Sequence, residues 1–361
     1  MDKKELIELT SNLVKIDSSK NDGRFDIVEF VKKFFENEQV FVKVFNQNDY
    51  PVIIVSLSEG KNFDLILSGH LDVVPGNIDQ FNPVVKKGRM YGRGTGDMKA
   101  GCAAMMLALR TFARDGQHNS VALMLTTDEE IGGRNGTEYL IKKEKYRAGL
   151  VIAPDGGTEL STIVVNKKGI LQLKLKGFGK SAHGSRPFWG ENAIDKLIKD
   201  YLKLRKIIPE LKTRQWKTTM NLGLIKGGDA VNKVPDYAEM LLDVRYPGIK
   251  DKEFILKKIN SLFSNAEVVM SGEPFIQDPK HPFVQMYKKV SADVLGKKIE
   301  FGKMEGSSDA RFFSELGIPA IITRIDSPNI HTKDEYVEIK AIEDFYKILL
   351  VFIPKYLNSG K

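Results

Sequence analysis

Cysteine is almost missing from this chain: Cys102 is the single one among 361 residues. An intrachain disulfide is thereby excluded, and a reducing, cytoplasmic setting is expected. No apolar run is long enough to span a bilayer. The opening residues, MDKKELIELT, contain no apolar stretch of the kind that directs secretion, so no signal peptide is expected. Repeats and low-complexity tracts are lacking as well. The formal net charge is +8, yet lysines and arginines are scattered among acids, and runs such as residues 203–206 read as solvated helix faces. Without a basic stripe interleaved with aromatics, nucleic-acid binding is not expected. Histidine is scarce too: His70, His118, His183, His281 and His331 are all there are.

What is present is enough chain for two domains and a large core. Residues 5–14 and 25–35 carry apolar side chains at helical spacing. Residues 52–57 and 64–67 read as strands, the second apolar on both faces like a strand covered by helices. Residues 99–113, KAGCAAMMLALRTFA, form a strongly apolar helix. Two further buried strands, 121–126 and 149–153, end in Thr127-Asp128-Glu129-Glu130 and Pro154-Asp155-Gly156-Gly157. This alternation predicts an α/β sheet with helices on both faces. Near Asn166 the style changes. Residues 170–176, ILQLKLK, alternate apolar and polar, and a helix at 191–207, strands at 218–225 and 237–246, a helix at 252–263 and a strand at 266–270 follow. That order, β-α-β-β-α-β, is the split motif of a small ferredoxin-like domain. After Pro274 the first style returns, with helices at 281–295 and 307–316, a strand at 319–323 and a closing helix at 341–356. The expected organisation is one α/β domain, residues 1–166 and 280–361, interrupted by an inserted domain, residues 167–279.

Chemistry gathers at the element ends. The apolar run LILSGHLD stops at His70, with Asp72 two places on. A Gly-rich loop, GRGTGDMKAG, delivers Asp97 to the start of the apolar helix. Asp128, Glu129, Glu130 and Asp155 follow strands, and His331 lies in the late loop PNIHTKDE. Open α/β sheets bind ligands outside the carboxyl ends of their strands. Read singly, each residue has a plainer role: a core histidine, a helix N-cap at Asp97, loop acids at Glu129 and Glu130, a turn at Asp155, a surface histidine at His331. Together, two imidazoles and several carboxylates at separate element ends suit a pair of divalent ions, with imidazole favouring zinc or cobalt over magnesium. Asp72, on the same face of the extended chain as His70, is placed to fix its tautomer.

In this order and spacing, SGHLDVVPG, YGRGTGDMKAG, TTDEEIGG, SAHGSRP and NIHTKDE resemble the zinc-dependent exopeptidase and deacylase family. That family includes acetylornithine deacetylase, succinyl-diaminopimelate desuccinylase, aminoacylase and glutamate carboxypeptidase. The resemblance covers essentially the whole chain. It implies a catalytic domain with an inserted lid and dimerisation domain, and a homodimer. It implies that His70 and Asp155 hold one ion, that Glu130 and His331 hold the other, and that Asp97 bridges them. Glu129 becomes the general acid/base and Asp72 the orienter of His70. Two such ions about 3.5–4 Å apart polarise a carbonyl and acidify a shared water, whose proton Glu129 takes.

The same resemblance makes His183, in GKSAHGSRP, an oxyanion-stabilising residue reaching an active site, often the partner subunit's. Asn232, in GGDAVNKVPD, and Arg245, in LLDVRYPG, correspond to lid residues that meet substrate, and Arg245 suits a carboxylate. Ser308, in EGSSDARFF, is a further substrate contact or a plain N-cap. His118 and His281 match nothing and are assigned structural roles. Asp155 departs from the deacylase pattern, which more often resembles Glu there, and leans toward dipeptidases and aminopeptidases. The expected reaction is hydrolysis of an amide bond of an N-acyl amino acid. A carboxypeptidase or dipeptidase remains the alternative, and a non-catalytic binding protein of the same fold is disfavoured because every expected ligand is present.

Overall fold

The computed structural model describes residues 3–116 and 120–359; His118 lies outside them. The chain divides into two compact units: Met1–Val165, Ile276–Met304 and Ser308–Lys361 form the first, and Asn166–Phe275 with Glu305–Ser307 the second.

In the first unit, four strands run parallel at the centre of a mixed sheet. Asn62–His70 lies between Val121–Thr126 and Arg147–Ala153, and Ala320–Ile322 adds beside the last. Their shared direction follows from apolar side chains on both faces, which only a sheet covered by helices on both sides can bury. All six residues of Val121–Thr126 are buried. Register decides what comes next. His70 stands opposite Thr126, Leu67 opposite Ile152, and Ile322 opposite Ala153. The four strands therefore reach their carboxyl ends within a few residues of one another. They release His70, the segment Asp128–Glu130, Asp155 and Arg324 along one rim.

The helix Ala100–Arg114 covers this sheet and is buried on nearly every side. It approaches closely because its facing residues are small: a side chain on Gly69 would meet Cys102 Sγ at 2.9 Å. The Cys102 thiol lies 3.2 Å from the His70 carbonyl oxygen, and burial pushes its pKa up to about 12, which makes it a packing residue. The helices Lys3–Lys15 and Ile339–Ser359 pack against the same helix. Each leucine or phenylalanine buried between them contributes on the order of 2 kcal/mol. Among the described residues no helix is long and apolar enough to cross a membrane.

Several smaller elements carry little sequence signal. An edge strand, Phe41–Gln47, pairs antiparallel with Tyr50–Ser56 through a two-residue turn whose Asn48 and Asp49 both have positive φ. Its residues are largely exposed, so the burial pattern that reveals a strand is weak there. A small sheet joins Val84–Lys86, Arg89–Tyr91 and Tyr336–Glu338. The helix expected at 307–316 is only Ala310–Ser314. The reason is local: the Asp309 carboxylate accepts from the Thr137 hydroxyl at 2.6 Å and does not cap the helix.

The second unit follows the order strand, helix, two strands, helix, strand. Ala266–Gly272, Gly169–Phe178, Tyr237–Tyr246 and Thr219–Gly227 lie side by side in that spatial order, each pair antiparallel, which is ferredoxin-like topology. Alternate residues of Tyr237–Tyr246, from Ala238 to Tyr246, are buried. The helices Ala193–Ile207 and Ile249–Leu262 supply the other half of that core. The first begins at Ala193 because the Asn192 side chain accepts from the amides of Ile194 and Asp195. Thr219–Gly227 is an edge strand, with Leu224 and Ile225 exposed.

Candidate active site

The position of Asp97 is set by the Gly-rich loop. Gly94 takes φ 78°, and a side chain on Gly96 would lie 1.8 Å from Ser327 Oγ, so both places require glycine. Asp97 follows with φ −130° and ψ 91°, outside the helical region, and a cis peptide bond joins it to Met98. It does not cap the helix, which starts at Ala100. What holds it is Glu335, 2% exposed, whose Oε1 accepts from the amides of Gly96 at 3.1 Å and Asp97 at 3.3 Å. Glu335 Oε2 in turn accepts from Arg93 at 2.5 Å. Gln in place of Glu335 is therefore expected to weaken divalent-metal binding about tenfold, as loss of a supporting contact commonly does. Competition with a chromophoric chelator measures this, and an unchanged affinity would mean the loop holds its own shape.

The Asp97 carboxylate faces both imidazoles. Oδ1 lies 3.2 Å from His70 Nε2, and Oδ2 lies 3.3 Å from His331 Nε2. His331 Nε2 also stands 3.1 Å from Glu130 Oε1. Donor atoms of His70, Asp97 and Asp155 lie within 4.8 Å of one another, and so do those of Asp97, Glu130 and His331. The five expected metal ligands thus form two sets that share Asp97. His331 has φ 64°, a left-handed conformation that costs a non-glycine residue about 1 kcal/mol or more and recurs at functional sites. Asp72 meets His70 differently from expectation: Nδ1 is 3.0 Å from the Asp72 backbone oxygen and 3.5 Å from its carboxylate. The other carboxylate oxygen accepts from the Glu130 amide at 3.0 Å. Asp72 therefore contacts both His70 and Glu130.

Charges follow from this crowding. Burial disfavours a charged His70, but Asp72 and Asp97 outweigh it and hold its pKa well above the ordinary value. Both ring nitrogens face acceptors. Hydrogen bonds to Asp97 and Glu130 push His331 up to about 10. Burial works against an ionised Asp97, yet Arg324, His331 and His70 keep it well below the usual carboxylate range. Glu129 goes the other way: burial first, then the charge of Asp155, raise it well above its usual value. Glu129 lines a small cavity with His70, Asp155 and Asp309. A divalent ion in either set would be met by carboxylate and imidazole donors, the mixture that zinc accepts. Loading the metal requires displacement of the imidazole protons.

Two groups at this rim carried no sequence signal. Arg324 is buried, with Nη1 3.2 Å from Asp97 Oδ2 and Nη2 3.5 Å from Asp155 Oδ1. A lone arginine after a strand is indistinguishable from a surface one until the fold is known. Asp309, which also raises the Glu129 pKa, sits within a side chain's reach of Gly133. In the sequence it is indistinguishable from part of a capping signal, Ser307-Ser308-Asp309.

Residues 66–355 match the model of Peptidase family M20/M25/M40. The chain belongs to this family. It is 27% identical to a protein named probable succinyl-diaminopimelate desuccinylase from Staphylococcus aureus, over 97% of this chain and 98% of that one. Among solved structures, a tripeptidase from Staphylococcus aureus superposes with a TM-score of 0.83 at 26% identity, covering 99% of both chains. A metallo-carboxypeptidase of the same family from Sulfolobus solfataricus gives 0.79 at 20% identity, over 99% of this chain and 100% of that one, and shows the fold alone. As a member of this peptidase family the chain is a metallohydrolase, and divalent metal use comes with the family.

The remaining site candidates of this family member fall in two places. Ser308, in the first unit, is 1% exposed, and its Oγ has no hydrogen-bond partner among the described residues. His183 and Asn232, both exposed in the second unit, are neighbours. The Gly184 amide donates to the Asn232 carbonyl at 2.6 Å, and His183 bridges to Lys233. His183 Nδ1 is 2.8 Å from Ser185 Oγ. Arg245 lies on Tyr237–Tyr246 and is already paired: Nε and one Nη donate to the Asp243 carboxylate at 2.7 and 3.1 Å. His281 caps the helix Pro282–Leu295, its ring accepting from the Phe283 amide.

Proposed function

We propose that this chain hydrolyses the amide bond of an N-acyl amino acid, in the manner of a desuccinylase. The observation that carries the proposal is the Asp97 carboxylate, which addresses His70 with one oxygen and His331 with the other. His70 and Asp155 would hold one divalent ion, Glu130 and His331 the second, and Asp97 both; zinc fits these donors best and cobalt next. When bound, such ions polarise the scissile carbonyl and acidify the attacking water. Glu129 takes that water's proton and passes it to the leaving amine nitrogen. Its raised pKa suits a group that keeps a proton between two steps. Asp72 orients His70, and the buried Ser308 hydroxyl is a donor for substrate.

Arg245 would receive the amino-acid carboxylate on the guanidinium edge that Asp243 leaves uncovered. His183 would stabilise the oxyanion, with Asn232 beside it. Spacing within the second unit supports a role in trans. Tyr237 pairs with Phe178, a few residues before His183, whereas Arg245 is at the far end of the same strand. Eight steps of extended chain separate Tyr237 from Arg245, about 26 Å. A small substrate meeting both groups would take them from two chains. The edge Thr219–Gly227 offers the surface for a two-fold dimer. Sedimentation at twice the monomer mass is expected. Mixing E129Q and H183A chains should restore about a quarter of wild-type activity, since half the dimers are mixed and each has one competent site. A monomer, or a mixture as inactive as its parts, would refute the trans role.

Peptide substrates are the second reading, favoured by Asp155 and by the likeness to the tripeptidase. A panel of N-succinyl and N-acetyl amino acids, dipeptides and tripeptides with added zinc or cobalt decides between them. Turnover of peptides alone would overturn the deacylase reading.

A further inference from the structure

Arg324 is a cation seated against two of the candidate metal-ligand carboxylates, Asp97 and Asp155. It follows the strand Ala320–Ile322 and is 4% exposed. Its Nη1 lies 3.2 Å from Asp97 Oδ2 and 3.4 Å from the Gly96 carbonyl oxygen, and its Nη2 lies 3.5 Å from Asp155 Oδ1. Its Nε is buried without a hydrogen-bond partner among the described residues. Asp97 and Asp155 are two of the three donors in the set completed by His70. The guanidinium thus spans the two carboxylates that an ion there would need.

We propose that Arg324 competes with the divalent ion for the His70, Asp97 and Asp155 set, so that each chain holds one ion tightly, at Asp97, Glu130 and His331, and a second one weakly. The inference rests on the metallohydrolase reading above and adds an order of loading to it. A guanidinium cannot shed its charge by losing a proton. An ion arriving at the His70 set has two routes. It enters beside a fixed positive charge in a site with little water, where like charges repel strongly. Otherwise it displaces Arg324 from two buried carboxylates and leaves that charge less compensated. Either route lowers affinity.

The other set meets Arg324 at a single carboxylate, Asp97, whereas the His70 set meets it at two, Asp97 and Asp155. His331 has a half-exposed side chain and can turn toward an ion from solvent, and Glu130 keeps only 13% of its side chain exposed. The one feature both sets share is the Asp97 carboxylate, whose Oδ2 serves Arg324 and His331 together. Metal content would then depend on free metal concentration over a range in which the His331 set is already filled.

The test is a titration of metal-free protein with zinc and, separately, with cobalt, followed by calorimetry with a competing chelator. Wild type is expected to take one equivalent tightly and a second at least about 100-fold more weakly, given the cost of uncovering a buried charge. R324M should bring the two steps to within about tenfold of each other. H331A should abolish the tight step and H70A should leave it, a result that decides the matter even if R324M fails to fold. Two equally tight equivalents in wild type, or a tight step lost in H70A and kept in H331A, would overturn the inference and leave the hydrolase reading standing. An R324M profile identical to wild type would also overturn it. Absence of zinc and cobalt binding in every folded form would overturn both.

Discussion

Glu129→Gln is expected to lower kcat/KM by about 10²- to 10⁴-fold, the contribution of a positioned general base. Metal content should stay at the wild-type level, because Glu129 belongs to neither ligand set. The change is nearly isosteric and removes a carboxylate that burial and the charge of Asp155 already hold toward its protonated form, so the folded state is expected to tolerate it. The pH profile gives a second readout. A base must be ionised to take a proton, so wild-type activity is expected to fall as pH drops through the Glu129 pKa, which burial, ahead of the charge of Asp155, raises in the metal-free protein. Residual activity of the variant should lack this acid limb. Full activity in Glu129→Gln, with its metal in place, would remove the residue from the chemistry.

Asp97→Asn reaches further, because one carboxylate serves both sets. Its two oxygens address His70 and His331, and Arg324 leans on one of them. Neutralising it should drop metal binding below one equivalent per chain and take activity down by about 10⁴-fold or more, since activation of water and of the carbonyl are lost together. Stability of the metal-free form should fall too, by about 3 kcal/mol, the cost of stripping a partner from buried charges. Denaturant unfolding of chelator-treated protein measures this. The contrast between the two variants is diagnostic: Glu129→Gln keeps metal and loses turnover, whereas Asp97→Asn loses both. An Asp97→Asn protein that still binds two ions would end the bridging role.

Much of this is legible in the amino-acid sequence. The strands ending at His70, Thr126 and Ala153 announce themselves because apolar side chains on both faces are a local property of the chain, readable residue by residue. The Gly-rich loop is equally local, since positive φ at Gly94 and the close approach at Gly96 need glycine wherever they occur. The ferredoxin-like order of the second unit is visible in its alternation. Less legible was Phe41–Gln47, an edge strand too exposed for its pattern to show.

The amino-acid sequence by itself determined which residue types stand at the strand ends, and so which chemistry this protein can perform; those choices depend on neighbours a few positions away. Only the tertiary structure decided how they meet. Asp97 reads as a helix cap until Glu335, far along the chain, takes hold of its amide and turns its carboxylate between two imidazoles. Arg324 reads as a surface arginine until parallel register delivers it to Asp97 and Asp155. The physical reason is the same in both cases: a buried charge is set by the partner that compensates it, and that partner is chosen by packing across the sheet, which no local pattern records.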